Sequence, residues 1–413
     1  MKILQVIKYF ILFVFSLPFF VFGKTPKPKL VVYGSNLSAY VAALQASSSG
    51  VQTLWVNPHS YSFKLDSYNL ALSSDSLLDG GVVRQFIKNK KDNTDSITNY
   101  LNFEKQSASN LWNESNPFLT ILNGEDIIKV EYKKSWKLTL SNKESYNLPA
   151  VLDASEGNTL AERAGLSNIA APVFKKSKDI SIAESRNIVL IGQSNGQVFV
   201  SGLPDLLTQQ DNFFELDING LPMGASYSFQ IAYAQTMGAI ASYCSFFKTT
   251  ADKIDLRTLQ NEILIHQGRL LPVVDIHTNE EQHFEHLQHM FLAGIFPLKV
   301  SNNNLIFAPS DSVRLADVKT VINQYYSRAQ LWFVDNNPEY FSVQDALNLI
   351  KFTAFRAEEL DVEVKKMWNK ELSFEGEYDP AKLISKYEFA VLFDKYATPF
   401  IKKVSQDGET IYR

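Results

Sequence analysis

Residues 29–58, KLVVYGSNLSAYVAALQASSSGVQTLWVNP, constrain the fold more than any other stretch of the chain. The apolar run before Gly34 is rich in β-branched residues and ends at a glycine, as a short buried strand does. Ala39, Ala42, Ala43 and Ala46 then recur on neighbouring helical positions until Gly50 stops the helix. The segment VQTLWVNP reads as a second buried strand, ending at Pro58. A helix joining two such strands is the crossover of a parallel pair. The expectation is therefore strands at 30–33 and 53–56 flanking a helix over 38–48, in an α/β fold.

The turn at the head of this helix carries a chemical question. In the pattern G-x-G-x-x-G the glycines permit a tight turn, close approach of backbone to a pyrophosphate, and close packing of helix on strand. The corresponding residues here are Gly34, Asn36 and Ala39, with Ser35, Leu37 and Ser38 between them. A methyl at Ala39 still lets the helix pack on the strand. Asn36 places a side chain where a pyrophosphate would approach, although Asn tolerates left-handed backbone better than most residues. The acid that usually accepts ribose hydroxyls at the end of the second strand is Asn57, which bonds ribose with less pull. This segment fits a bound nucleotide and an empty structural unit equally.

Residues 139–166 have two β-like arms, the strand PAVLDAS, and the turn Glu156-Gly157-Asn158 opening a helix to Gly165. This resembles the FAD-dependent oxidoreductases, in which a strand ending Asp-Ala-Ser or Asp-Ala-Thr precedes an acidic, glycine-containing turn. The resemblance implies that Asp153, Ala154, Ser155 and Gly157 lie along the flavin nucleotide, and that Ile127 and Ile128 lie near its adenine. Residues 224–272 resemble the same family: Ala234-Gln235-Thr236-Met237-Gly238 stands where its members have Gly-Gln-Ala-Ala-Gly, and Leu259-Gln260 with Gln267-Gly268 match the following helix. By that likeness Gln235 and Gly238 belong to a helix whose N-terminus points at the cofactor. The alternative is that the small residues only let two helices pack closely.

The family implies a Rossmann-like FAD/NAD(P)-binding domain over 29–272, with FAD taking a hydride from a small or carbohydrate-like substrate. Several features depart from it. The stretch HSYSFKLDSYNLALSS lacks the family's flavin-lining glycines, and none follows until Gly80-Gly81. The interval 167–223 is too short for an independent substrate domain. No catalytic acid, base or nucleophile stands out, so a cofactor-free binding or scaffold protein is the competing expectation.

From Asp275 to the C-terminus the pattern is helical, with Phe284, Leu287, Phe291 and Leu292 on one face of a helix ending at Gly294. SVRLADVKTVINQYYS and LISKYEFAVLFDKYATPF resemble surface-layer-homology modules, which implies attachment or packing and a protein partner for a domain over 275–413. His283, His286 and His289 step by three, so they do not all face one ion; a solvated helix face is expected rather than a metal site. The single Cys244 rules out an internal disulfide and reads as a buried thiol in AIASYCSFF.

Lys2 and Lys8 precede the uncharged run YFILFVFSLPFFVFG, whose 15 residues fall short of the about 20 that span a bilayer. Residues 1–23 are expected to be a cleaved signal peptide for an exported protein, with an uncleaved anchor as the alternative and no membrane span after cleavage. A formal charge of −4 without a basic stripe excludes nucleic acid as the expected partner.

Overall fold

The computed structural model describes residues 27–59, 70–72, 81–82, 87–91, 97–101, 116–166, 169–207, 211–277 and 282–411. The expected signal segment, and the glycine-poor stretch after the second strand apart from a few positions, lie outside these residues. The expected βαβ unit is present. Strand β1 (Leu30–Tyr33) leads into helix α1 (Leu37–Ser48) and then β2 (Thr53–Asn57), and the strands pair in parallel with Leu30 opposite Thr53. Three short strands, β3 (Leu70–Leu72), β4 (Ile87–Lys91) and β5 (Ile97–Leu101), form a separate antiparallel sheet. Strands β6 (Leu119–Asn123), β10 (Ala150–Asp153) and β14 (Phe213–Glu215) complete a five-stranded parallel sheet in the order β14-β10-β1-β2-β6. Strands β7 (Ile127–Tyr132), β8 (Trp136–Leu140) and β9 (Ser145–Leu148) form an antiparallel meander.

The alternation of side chains along each strand sorts them into two cores. Val31, Tyr33, Leu54, Val56, Val151 and Phe213 face the meander, where Ile127, Val130 and Trp136 cover them. Leu30, Val32, Trp55, Leu152 and Phe214 belong to the other, larger core, with α1 and the long helix Tyr227–Phe247. Every residue of α1 from Leu37 to Ser47 is buried, since the helix is enclosed by the sheet and that long helix. The two helices meet where a Cβ on Gly238 would lie 2.5 Å from the carbonyl oxygen of Ala42.

The interval 167–223 adds a small sheet. After the short helix α2 (Thr159–Arg163) it contains β11 (Lys175–Lys176), β12 (Ile188–Ser194) and β13 (Gln197–Gly202) in a three-stranded antiparallel sheet. The C-terminal part is mostly helical, with one hairpin at Lys299–Ser301 and Asn304–Ile306. Its hydrophobic core continues unbroken from that of the α/β layers. Buried arginines add hydrogen bonds across the boundary: Arg257 donates to the carbonyls of Leu292 and Lys402, and Arg186 to those of Ala293 and Gly408.

A threefold motif organises this helical part. Val313 N–H donates to Ile384 O, Ile384 N–H to Phe341 O, and Phe341 N–H to Val313 O, closing a ring of three backbone hydrogen bonds among buried residues. Each of the three residues directly precedes the cap of a helix: Leu315–Tyr325, Val343–Ala354 and Lys386–Ala397. Ser342 and Ser385 close capping boxes with Asp345 and Glu388.

The histidine helix, Phe284–Leu292, differs from its expectation. His283 is buried and bonds the carbonyl of Leu372, while His286 and His289 both bond Oδ2 of Asp394, at 2.8 and 2.9 Å. Two residues three apart lie near enough on one helix face to share a carboxylate, and packing on the last helix supplies it, so this face is an interface rather than a solvated surface. Among the described residues no group of three or more His, Cys, Asp or Glu is placed to hold a metal ion.

Gly238→Ala forces a methyl against backbone that cannot move away cheaply. The substitution is expected to lower the unfolding free energy by about 1–3 kcal/mol, read from the denaturant midpoint, because overpacking of this kind carries that cost.

Candidate functional site

Ligands of open α/β sheets bind at the carboxyl ends of the strands, where neighbouring connections leave in opposite directions. Here the chain runs from β1 to β2 on one side and later adds β10 on the other, so this point lies between β1 and β10. Gly34 ends β1 with φ +146°, and a Cβ there would stand 2.6 Å from Ala154 O. The glycine is required by the approach of the two strand ends.

Asn36 fills the space beside it. Its Oδ1 accepts from Ala39 N–H at 2.9 Å, capping α1, and its Nδ2 donates to Ala154 O at 2.8 Å. One carboxamide thus satisfies a donor of the helix N-terminus and ties that terminus to β10. Ser35 donates to Oδ1 of Asn57 and accepts from His59 N–H, while Asn57 Nδ2 donates to Asn123 Oδ1 across β2 and β6. Asn57 is 2% exposed, so its amide faces its neighbours rather than a ribose. Ser38 is fully buried and accepts from Gln230 on the long helix. Leu37 and Ala39 are buried beside it.

Asp153, at the end of β10, is also engaged within the protein. Oδ1 accepts from the N–H and hydroxyl of Ser155, and Oδ2 from the N–H groups of Leu160 and Ala161. This carboxylate caps α2; burial still raises its pKa above the usual range, against the pull of those donors. Ser155 in turn accepts from Thr159 N–H. Ile127 is fully buried in the meander core and Ile128 is exposed. Gln235 and Gly238 lie mid-helix: Gln235 accepts from Val82 N–H, and Gly238 packs on α1. The structure therefore gathers Gly34, Ser35, Asn36, Asn57 and Ala154 at one turn, and sets Ile127, Gln235 and Gly238 elsewhere.

A second feature at the same sheet edge had no motif to announce it. A cavity of about 300 Å³ opens at the ends of β10 and β14, lined by Gly157, Asn158 and Glu162 on one side and Glu215, Asp217 and Tyr233 on the other. Glu215 stands in register with Asp153 on the neighbouring strand. It is 8% exposed, and its Oε1 has no hydrogen-bond partner. Burial, and then the charges of Asp153 and Asp217, push its carboxyl up to about 7. The only trace in the sequence is an acid after the apolar pair Phe213-Phe214, where a buried strand would otherwise continue.

A pyrophosphate approaching α1 meets the Asn36 carboxamide, and both of its hydrogen bonds must break before the helix N-terminus is free. The residues as folded do not form a cradle for that group.

No protein-family model matches the chain, and no curated protein matches it. Among solved structures, the bacillithiol disulfide reductase from Staphylococcus aureus is 13% identical over 32% of this chain and 39% of its own, with TM-score 0.20. THI4 from Thermovibrio ammonificans is 12% identical over 58% of this chain and 94% of its own, with TM-score 0.36. The FAD complex of glycerol-3-phosphate dehydrogenase from Bacillus halodurans is 12% identical over 33% of this chain and 36% of its own, with TM-score 0.25. The chain thus spans less than half of the first and third.

The Glu215 carboxyl gives a pH test. Its folded pKa lies above the ordinary 4.5, so the neutral form is favoured by folding; the stability it brings is complete below about 4.5 and is lost as pH rises through about 7. At roughly 1.4 kcal/mol per pKa unit, and with solvent screening taking part of it, this amounts to on the order of 1–2 kcal/mol. Glu215→Gln should therefore raise the denaturant midpoint at pH 8.5 and leave it nearly unchanged at pH 4.5.

Proposed function

We propose that this chain is a divergent, exported protein of FAD-dependent-oxidoreductase type, in which the dinucleotide turn is filled by the protein's own side chains and the fold serves binding rather than flavin chemistry. The observation that carries the reading is the double hydrogen bond of Asn36, to Ala39 N–H and Ala154 O, at the point where a pyrophosphate would bind. Buried donors and acceptors bonded to one another must be parted before they can serve a ligand, at about 1–3 kcal/mol for each group left unpaired.

Titration of FAD into purified protein, followed by flavin fluorescence and calorimetry, tests this. Weak or no binding is expected for the natural chain. Gain of binding is expected for Asn36→Gly combined with Asn57→Glu, by one or more powers of ten. Tight binding by the natural chain would refute the proposal.

A catalytic reading is favoured by one feature, the Glu215 carboxyl that titrates near neutrality at the sheet edge, since such a group can take or give a proton. In that reading a bound FAD would supply hydride chemistry toward a small or carbohydrate-like substrate, and the same titration decides between the two.

The C-terminal helical part is proposed to attach the protein to a partner, in the manner of surface-layer-homology modules. The threefold ring at Val313, Phe341 and Ile384 supports this, as do Leu331, Val334, Phe355 and Val362, each more than 60% exposed. Export is proposed from the basic and apolar N-terminal segment. N-terminal sequencing of protein recovered outside the cytoplasm should begin near Lys24; a start at Met1 would show that the segment is retained.

A further inference from the structure

The cavity beside β14 poses a problem that the rest of the sheet edge does not. At the dinucleotide turn the polar side chains are bonded to each other, and Asp153 accepts four donors. Glu215, its in-register neighbour, has an oxygen with no partner, although the residue is more than nine-tenths buried. An acceptor removed from water and left unpaired is costly, and more so for a charged group. The surroundings add to that cost, since Glu162 and Asp217 also line the cavity and, among the described residues, no lysine, arginine or histidine does. The remaining wall, from Ala161, Leu166, Pro172 and Leu206, is apolar.

We propose that this cavity binds a small organic monocation, an ammonium group on a compact apolar body, with Glu215 as its counter-ion. The ammonium supplies the donor and the positive charge that Glu215 lacks, and the apolar wall takes the hydrocarbon. A volume of about 300 Å³ admits a body of roughly ten heavy atoms, at ~30 Å³ each. A metal ion fits less well, because among the described residues no three ligating side chains converge. The cavity lies beyond β10 from the Asn36 turn and shares no side chain with that turn, so a bound cation and a bound dinucleotide would occupy separate places.

Charge and binding are linked. Burial and two neighbouring carboxylates favour the neutral form of Glu215, and a bound cation reverses that preference, so below about pH 7 the ligand must displace a proton. Affinity should rise with pH up to about 7 and then level.

The test uses the purified full chain and calorimetric titration with propylammonium, cyclohexylammonium and benzylammonium, each beside its neutral alcohol, at pH 5.5, 7 and 8. At least one of the three amines is expected to bind tenfold or more tightly than its alcohol, and tenfold or more tightly at pH 8 than at pH 5.5. Glu215→Gln should lose tenfold or more of that affinity while its denaturant midpoint shows that it is folded. Equal binding of amine and alcohol, amine affinity unchanged in folded Glu215→Gln, or no binding by any of the three amines would each overturn the proposal. No flavin enters the experiment, so its outcome is independent of the FAD titration.

Discussion

The close approach of two helices over one face of the parallel sheet is the contact on which the rest of the structure depends. Ala42 and Gly238 allow backbone to meet backbone there, and the long helix Tyr227–Phe247 then covers α1 along its length. With α1 enclosed, the turn that feeds it is held against the end of β10, and Gly34 is the residue that makes this distance tolerable. The meander on the opposite face completes three layers, so the inner strands β1, β2 and β10, of four or five residues, are buried on both sides without a large domain around them.

This arrangement treats the two sides of β10 differently. On the β1 side, side-chain amides and hydroxyls bond one another: Asn36 joins α1 to Ala154, and Asn57 joins Ser35 to Asn123. On the β14 side, Asp153 is saturated by its own helix and leaves Glu215 unpaired. Polar groups that satisfy each other lend rigidity, whereas an unpaired carboxyl in a partly apolar hollow is primed to receive a donor.

The helical part is joined to these layers more intimately than its composition suggests. Arg257 is buried, and burial lowers its pKa to about 10. It answers the carbonyls of Leu292 and Lys402 and lies over the Phe400 ring. Arginine suits such a place because its planar fork satisfies several carbonyls at once. Removing the helical part would therefore strip a shared core, not merely detach a neighbour.

The sequence by itself determined the parallel βαβ unit, the helical character of the C-terminal part and the turn at Gly34, because apolar periodicity and glycine placement are local properties of the chain. It also marked Asn36 and Asn57 as departures, since a missing glycine and a missing acid can be read without coordinates. What Asn36 does with its carboxamide was decided by tertiary structure, because its partner Ala154 is 118 residues away. The pairing of His286 and His289 with Asp394, and the isolation of Glu215 beside Asp153, likewise depend on elements brought together only by packing. Local spacing tells which side chains share a face; which groups that face meets, and whether a buried charge finds a partner, is settled by the fold.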